Sequence, residues 1–145
     1  VDLAATPLPF SPNSYSTIFS KSVVEHMQDP LNLLKDAYRI LKPGGKIITL
    51  CPSWEYNYKW FYEDFTHVTP FQKESLRDIH YMAGFENVSV SFFRQLPICW
   101  GRYAAPFSLL ASVTRHLFPD RFRGLSKWTR FSKEVMLLSI AEKPE

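Results

Sequence analysis

SYSTIFSKSVVEHMQDPLNLLKDAYRILKPGGKIITLCP, residues 14–52, is the stretch that decides the fold. Tyr15 to Ser20 is a strand with a β-branched and aromatic centre, Ile18 and Phe19. Ser22 to Met27 reads as a short helical turn. Asp29 is a good N-cap, and Pro30 stands at the first helical position, where a missing N–H costs nothing. Leu31, Leu34, Ala37, Tyr38 and Leu41 recur at helical spacing, so a helix over 30–42 covers one sheet face. Lys42-Pro43-Gly44-Gly45 ends it in a turn, and Lys46 to Leu50 is a near-continuous apolar strand of the kind buried on both faces. Strand, helix, strand is the crossover unit of a parallel sheet, in which ligands sit beyond the carboxyl ends of the strands. Those ends are Ser20–His26 and Cys51–Trp54.

Outward from this unit, residues 4–14 (AATPLPFSPNS) form a Pro- and Ser-rich loop. Residues 51–70 form a long aromatic loop, which inside a compact domain is usually functional. Thr69 or Gln72 caps a helix over 72–83 that Gly84 terminates. Val88 to Phe93 alternates as a strand, a helix is centred on Phe107–Phe118 before a basic loop, and Glu134 to Ala141 is a last buried strand. The expected architecture is a three-layer α/β domain with one mixed sheet, flanked by the helices 30–42 and 72–83.

The 145 residues suffice for one core and not for two ordinary domains. With 46% hydrophobic and 21% charged residues the composition is globular. A net charge of +3 gives no nucleic-acid footprint, so no nucleic-acid partner is expected. Residues 94–133 nevertheless hold eight basic side chains against one acidic. Such a segment suits an anionic substrate, a peripheral membrane surface or plain solvent. Cys51 and Cys99 fit no zinc or redox spacing and read as reduced thiols of a cytoplasmic protein. No signal peptide and no apolar run long enough to span a bilayer is present.

The side chains with chemical potential concentrate in the aromatic loop. His67, beside Asp64, is a candidate general base, with the carboxylate orienting the imidazole. The alternative is a His that braces the loop. Trp54, Tyr56, Tyr58, Trp60, Phe61 and Tyr62 suit either the walls of an acceptor pocket or the inner face of a covering loop. Arg102, with Arg115, Arg121, Arg123, Lys127 and Arg130, would attract an anionic acceptor. His80 and His116 read as packing or surface residues.

In order and spacing, Asp2, Leu8-Pro9-Phe10, Ser14-Tyr15-Ser16, Val23-Val24-Glu25-His26, Asp29-Pro30, Leu41-Lys42-Pro43-Gly44-Gly45 and Pro52 resemble the class I S-adenosylmethionine-dependent methyltransferases of the type 11 group. Thr66-His67-Val68-Thr69-Pro70-Phe71 and Ala83-Gly84-Phe85 continue the likeness. The resemblance implies a partial Rossmann-like methyltransferase sheet whose last strand is antiparallel and inserts between those at 46–50 and 88–93. It implies S-adenosyl-L-methionine as cofactor, with Asp2 on the adenine amine, Leu3 beside it, and Ser20, Lys21 and Ser22 along the methionine part. It also implies a transferase acting on O or N of a small molecule. Ser16 stands where the family usually has Asp. The family's first strand and Gly-rich loop have no counterpart in residues 1–145. Residues 1–145 are therefore expected to be a single unit, the C-terminal part of a methyltransferase domain with 97–131 as a helical, basic cover, inactive alone. A non-catalytic remnant serving as an interaction or scaffold module is the alternative. Some ubiquinone-type O-methyltransferases hold a divalent metal on Glu-x-x-Glu-His. Here Ser22 replaces the first Glu, so no metal is expected, and Glu25 and His26 are read as satisfying backbone groups. The strand at 15–20 is expected to be an open edge that recruits a second copy into a homodimer.

Overall fold

The computed structural model describes residues 7–101 and 104–145. The elements are β1 (Tyr15–Lys21), α1 (Pro30–Ile40), β2 (Leu41–Pro52), α2 (Trp54–Asn57), α3 (Lys73–Met82), β3 (Glu86–Arg94), α4 (Ala104–Leu117), α5 (Lys127–Lys133) and β4 (Val135–Glu142). Short 3-10 turns lie at Val24–His26, Phe61–Glu63, Pro97–Cys99 and Asp120–Leu125. The strand order is β1-β2-β4-β3. β1 runs parallel to β2, and β4 lies antiparallel between β2 and β3. The last strand is thus antiparallel and inserted between the strands of 46–50 and 88–93, as the resemblance implies.

Two boundaries differ from the sequence pattern. The helix stops at Ile40, and Leu41 already pairs with Tyr15 as part of β2. Lys42-Pro43-Gly44-Gly45 is thus a bulge inside the paired strand rather than a separate turn, because Thr17 pairs next with Lys46. Gly45 is required there: a Cβ would lie 2.7 Å from the Lys42 carbonyl oxygen. The expected basic loop after residue 118 contains a further helix, α5, opened by a Ser126–Thr129 capping box.

The core-facing stripe of α1 is Leu33, Leu34, Ala37 and Ile40, whereas Leu31 and Tyr38 lie at its margin. Ile79 of α3 packs against the same clusters as α1, so both helices cover one face of the sheet. The other face is covered in part, with Leu50 and Met136 buried toward the carboxyl end of β2. Phe19, Ile48 and Ile140 stand in register across β1, β2 and β4 and point away from α1. Phe19 is 62% exposed and Ile140 39%. Edge strand β1, edge strand β3 and this apolar row are uncovered parts of the sheet.

Beneath α3 lies a small polar core. His80 is fully buried, its Nδ1 donating to the Leu76 carbonyl at 2.6 Å. Its Nε2 accepts from the hydroxyls of Thr49 (3.4 Å) and Ser139 (3.3 Å), so the helix, β2 and β4 are joined through one imidazole. His80 is thus a packing residue of the interior rather than of the surface.

Candidate active site

At the carboxyl ends of β1 and β2 the sheet opens into a cleft of about 330 Å³. Ser22, Glu25, His26, Trp60, Asp64 and His67 line one part of it, and Gln95, Arg123, Arg130 and Glu134 another. Local backbone geometry sets the first wall. Ser22 turns with φ +53° directly after β1 while its N–H donates to the Leu50 carbonyl at 2.9 Å. That turn throws the chain into the Val24–His26 helical turn.

The aromatic loop is stitched onto that turn. The N–H groups of Val68 and Thr69 both donate to the Glu25 carbonyl oxygen, at 2.9 and 3.0 Å. The Thr69 hydroxyl donates to the Met27 carbonyl at 2.7 Å. These bonds carry His67 over Glu25 and His26, and the two imidazoles lie with ring centroids 4.6 Å apart. Brace and chemistry are thus divided within one residue. The Glu25 backbone carbonyl binds the loop, whereas its carboxylate, 1% exposed, has no hydrogen-bond partner on either oxygen. The nearby Ser22 hydroxyl makes no bond of normal geometry to it. Burial pushes the Glu25 carboxyl upward, opposed by its own backbone N–H and by His26 and His67. The firm backbone contacts of this residue are thus made by its carbonyl oxygen.

His67 keeps its place at the cleft but exchanges its orienting partner. Its Nδ1 donates to the Phe61 carbonyl at 2.7 Å, while Asp64 Oδ2 stands 3.9 Å from its Nε2, beyond hydrogen-bonding range. Asp64 instead accepts from the backbone N–H (3.0 Å) and hydroxyl (2.5 Å) of Thr66, which hold its carboxyl below the usual range. A carbonyl oxygen only accepts, so Nδ1 of His67 carries the proton and Nε2 presents its lone pair.

The aromatic residues separate into two groups. Trp60 lines the cleft, and its indole N–H donates to Asn57 Oδ1 at 3.0 Å. Asn57 in turn donates to the carbonyls of Ser53 (2.8 Å) and Val135 (2.7 Å), tying the loop to β4. Trp54 packs edge-on against Phe61 and Tyr62 and lies beside Tyr58, forming the loop's own core. Tyr58 and Tyr62 are exposed, and Tyr56 packs against Phe92 under the Arg115 guanidinium, facing a separate cavity. Of the six predicted acceptor-pocket aromatics, Trp60 and the buried Phe61 line the main cleft. Lys21 is exposed, Ser20 lines an apolar groove beside α1, and Ser22 lines the cleft. Asp2, Leu3 and Arg102 lie outside the described residues.

Much of the basic charge is paired internally. Arg123 bridges Glu63 and Glu134, Arg130 pairs with Glu134 at 2.9 Å, and buried Lys133 pairs with Asp120 at 2.9 Å. Arg94 donates to the Ser132 carbonyl and the Ser112 hydroxyl. Arg94, Arg115, Arg121 and Lys127 form no ion pair among the described residues, Arg115 lying instead over the Tyr56 ring. Arg123, Glu134, Gln95 and Asn57 carry no local motif. Only the folding of the 94–134 segment over the aromatic loop brings them to the cleft.

Both cysteines are free, and burial holds the Cys51 thiol far above its ordinary value. No helix among the described residues is long and apolar enough to cross a membrane.

The family model "Methyltransferase domain" matches residues 1–49. The biotin biosynthesis bifunctional protein BioHC of Teredinibacter turnerae is 34% identical over 88 residues, covering 57% of this chain and 15% of that protein. A chain from the complex of the Haloferax volcanii Trm112 methyltransferase activator with a methyltransferase superposes with a TM-score of 0.68 at 20% identity, covering 100% of this chain and 60% of that one. Haemonchus contortus phosphoethanolamine N-methyltransferase 2, solved with phosphomonomethylethanolamine and S-adenosylhomocysteine, gives 0.60 at 21% identity, covering 94% of this chain and 35% of that one. The match thus spans 15% of the curated relative, and 60% and 35% of these two structural neighbours. The chain has the class I S-adenosylmethionine-dependent methyltransferase fold, and over residues 1–49 its sequence matches the methyltransferase-domain family model.

Proposed function

We propose that this chain supplies the acceptor-side half of an S-adenosyl-L-methionine-dependent methyltransferase acting on an oxygen or nitrogen of a small molecule. The observation that carries the reading is the cleft at the carboxyl ends of β1 and β2, where His67, bonded through Nδ1 to the Phe61 carbonyl, lies beside Glu25 and His26. The methyl-bearing sulfonium of the cofactor would lie at the β1 end, near Ser22, with the acceptor between it and Trp60. Transfer is then an in-line displacement in which positioning supplies most of the rate and His67 takes the acceptor's proton.

The free edge of β1 and the exposed row Phe19–Ile48–Ile140 support a division of the cofactor site between residues 1–145 and further strands and helices. Calorimetry with S-adenosylhomocysteine tests this on residues 1–145 and on a chain extended at its N-terminus. Binding by the longer chain alone is the expected result, and no binding by either favours the scaffold reading. For residues 1–145 alone, the same edge suits pairing with a second copy. A one-chain mass by light scattering at the protein's working concentration would remove that homodimer.

A membrane-peripheral role has one specific observation in its favour. Leu109 (67% exposed) and Leu117 (72%) lie two turns apart on α4, with Leu110 and Val113 also exposed. Anionic-liposome co-sedimentation that is lost in Leu109→Ser/Leu117→Ser supports it. Pelleting unchanged in that variant, or absent in the parent, counts against it.

A further inference from the structure

We propose that Glu25, His26 and His67 form a binding site for a divalent first-row transition ion, with Nε2 of each imidazole and the Glu25 carboxylate as ligands. One potential ligand atom from each of the three lies within 4.8 Å of the others. Ligands about 2.0–2.2 Å from a single ion stand about 3.3 Å apart in tetrahedral geometry, so small side-chain movements close the site.

Three features distinguish this cluster from a chance grouping. The first is the orphaned carboxylate. Glu25 is 1% exposed, lines the cleft and has no hydrogen-bond donor on either oxygen. A buried carboxyl is either held neutral by a proton or matched by positive charge, and no Lys or Arg forms an ion pair with it among the described residues.

The second is the tautomeric state of both imidazoles. His67 Nδ1 donates to the Phe61 carbonyl. Thr66 uses its hydroxyl hydrogen on Asp64 and lies 2.9 Å from His26 Nδ1, so His26 Nδ1 donates to Thr66 Oγ1. Each ring is thereby held by an outer hydrogen bond at Nδ1 and offers the Nε2 lone pair. This is the arrangement that orients metal-bound histidines and raises their basicity. The third is the open side. The cleft lies over the cluster, leaving coordination positions for solvent or a ligand.

Two imidazoles and one carboxylate suit Mn(II), Fe(II), Co(II) or Zn(II) better than Mg(II) or Ca(II), which prefer oxygen ligands. Ser22 at the cleft rim removes a potential carboxylate ligand, and His67 supplies the third protein ligand from a different loop. Binding does not depend on the methyltransferase reading, but the use of the ion does. Under that reading His67 is the base in the ion-free site, whereas with the ion bound it is a ligand and the acceptor hydroxyl, polarised by the ion, gives its proton to water.

The test is titration of chelator-treated protein with Co(II), followed by visible absorption and calorimetry without cofactor or acceptor. Failure here therefore leaves the cofactor-binding test untouched, and the reverse holds. The expected result is stoichiometric binding that persists in excess Mg(II) and weakens at least about tenfold in Glu25→Gln and in His67→Ala. His116→Ala, on exposed α4, should leave it unchanged. Mn(II) broadening of the His26 and His67 ring resonances in the unmodified protein gives a readout independent of variant folding. No stoichiometric binding, binding unchanged in both site variants, or absence of that broadening overturns the proposal.

Discussion

The Nδ1 nitrogen of His67 lies 2.7 Å from the carbonyl oxygen of Phe61, six residues earlier in the same loop. This bond decides which nitrogen faces the cleft, a role that Asp64 at 3.9 Å does not perform. Long-range proton–nitrogen NMR at neutral pH should therefore show His67 protonated at Nδ1. An Nε2–H tautomer would contradict the geometry. Asp64→Asn should leave the tautomer unchanged, since the carboxylate bonds to Thr66 instead.

Buried His80 should make stability pH-dependent. Desolvation holds its pKa below the ordinary 6.5, with its hydrogen bond to Leu76 acting in the opposite direction. The unfolded chain therefore takes up the proton first. The contribution is fully present above pH 6.5 and declines as pH falls from there through the folded pKa. Urea unfolding followed from pH 7.5 to 5 should show this decline. His80→Leu should flatten it and cost about 1–3 kcal/mol at neutral pH, because the Thr49 and Ser139 hydroxyls lose their shared partner. An unchanged pH profile in the variant would assign the dependence elsewhere.

Asn57 is the clamp between the aromatic loop and β4, through two donated bonds and one accepted from Trp60. Asn57→Ala should destabilise the protein by about 1–3 kcal/mol, since the buried Val135 carbonyl loses a donor. Amide exchange should accelerate locally across residues 54–63 before it does in β2. Uniform acceleration across the sheet would show that the clamp is not local.

Asp120 is held at about 2 by hydrogen bonds from Lys59 and Lys133. Its folded pKa lies below the ordinary 3.8, so its stabilising contribution is present above that value and is lost as pH falls toward 2. Carboxyl NMR should give a titration midpoint in that low range. Lys133→Met should raise it toward the ordinary carboxylate value, and an unmoved midpoint would assign the depression to Lys59 alone.

The local code of residues 14–52 determined the crossover unit. Asp29-Pro30 starts α1 through a cap on Asn32, and the near-continuous apolar run ends in the consecutively buried Thr49, Leu50 and Cys51 of β2. The end of α1 at Ile40 was not legible, because Leu41 is equally apolar in helix or strand and only its pairing with Tyr15 decides. The incomplete cover of the second sheet face was also hidden. Periodicity marks an apolar face but not whether a second layer exists to bury it, as exposed Phe19 shows.

The sequence by itself determined the strand–helix–strand frame, the position of the cleft beyond the strand ends and His67 as a residue of that cleft. Those properties depend on short-range spacing, capping and turn chemistry. Tertiary structure alone decided that Glu25, His26 and His67 converge, that Trp60 rather than Tyr56 meets the cleft, and that Arg123 bridges Glu63 to Glu134. Each of these depends on one loop bonding to another: the 41-residue separation of His26 and His67 is closed by Val68 and Thr69 donating to the Glu25 carbonyl. A backbone bond of that kind leaves no side-chain signature from which the sequence could announce it.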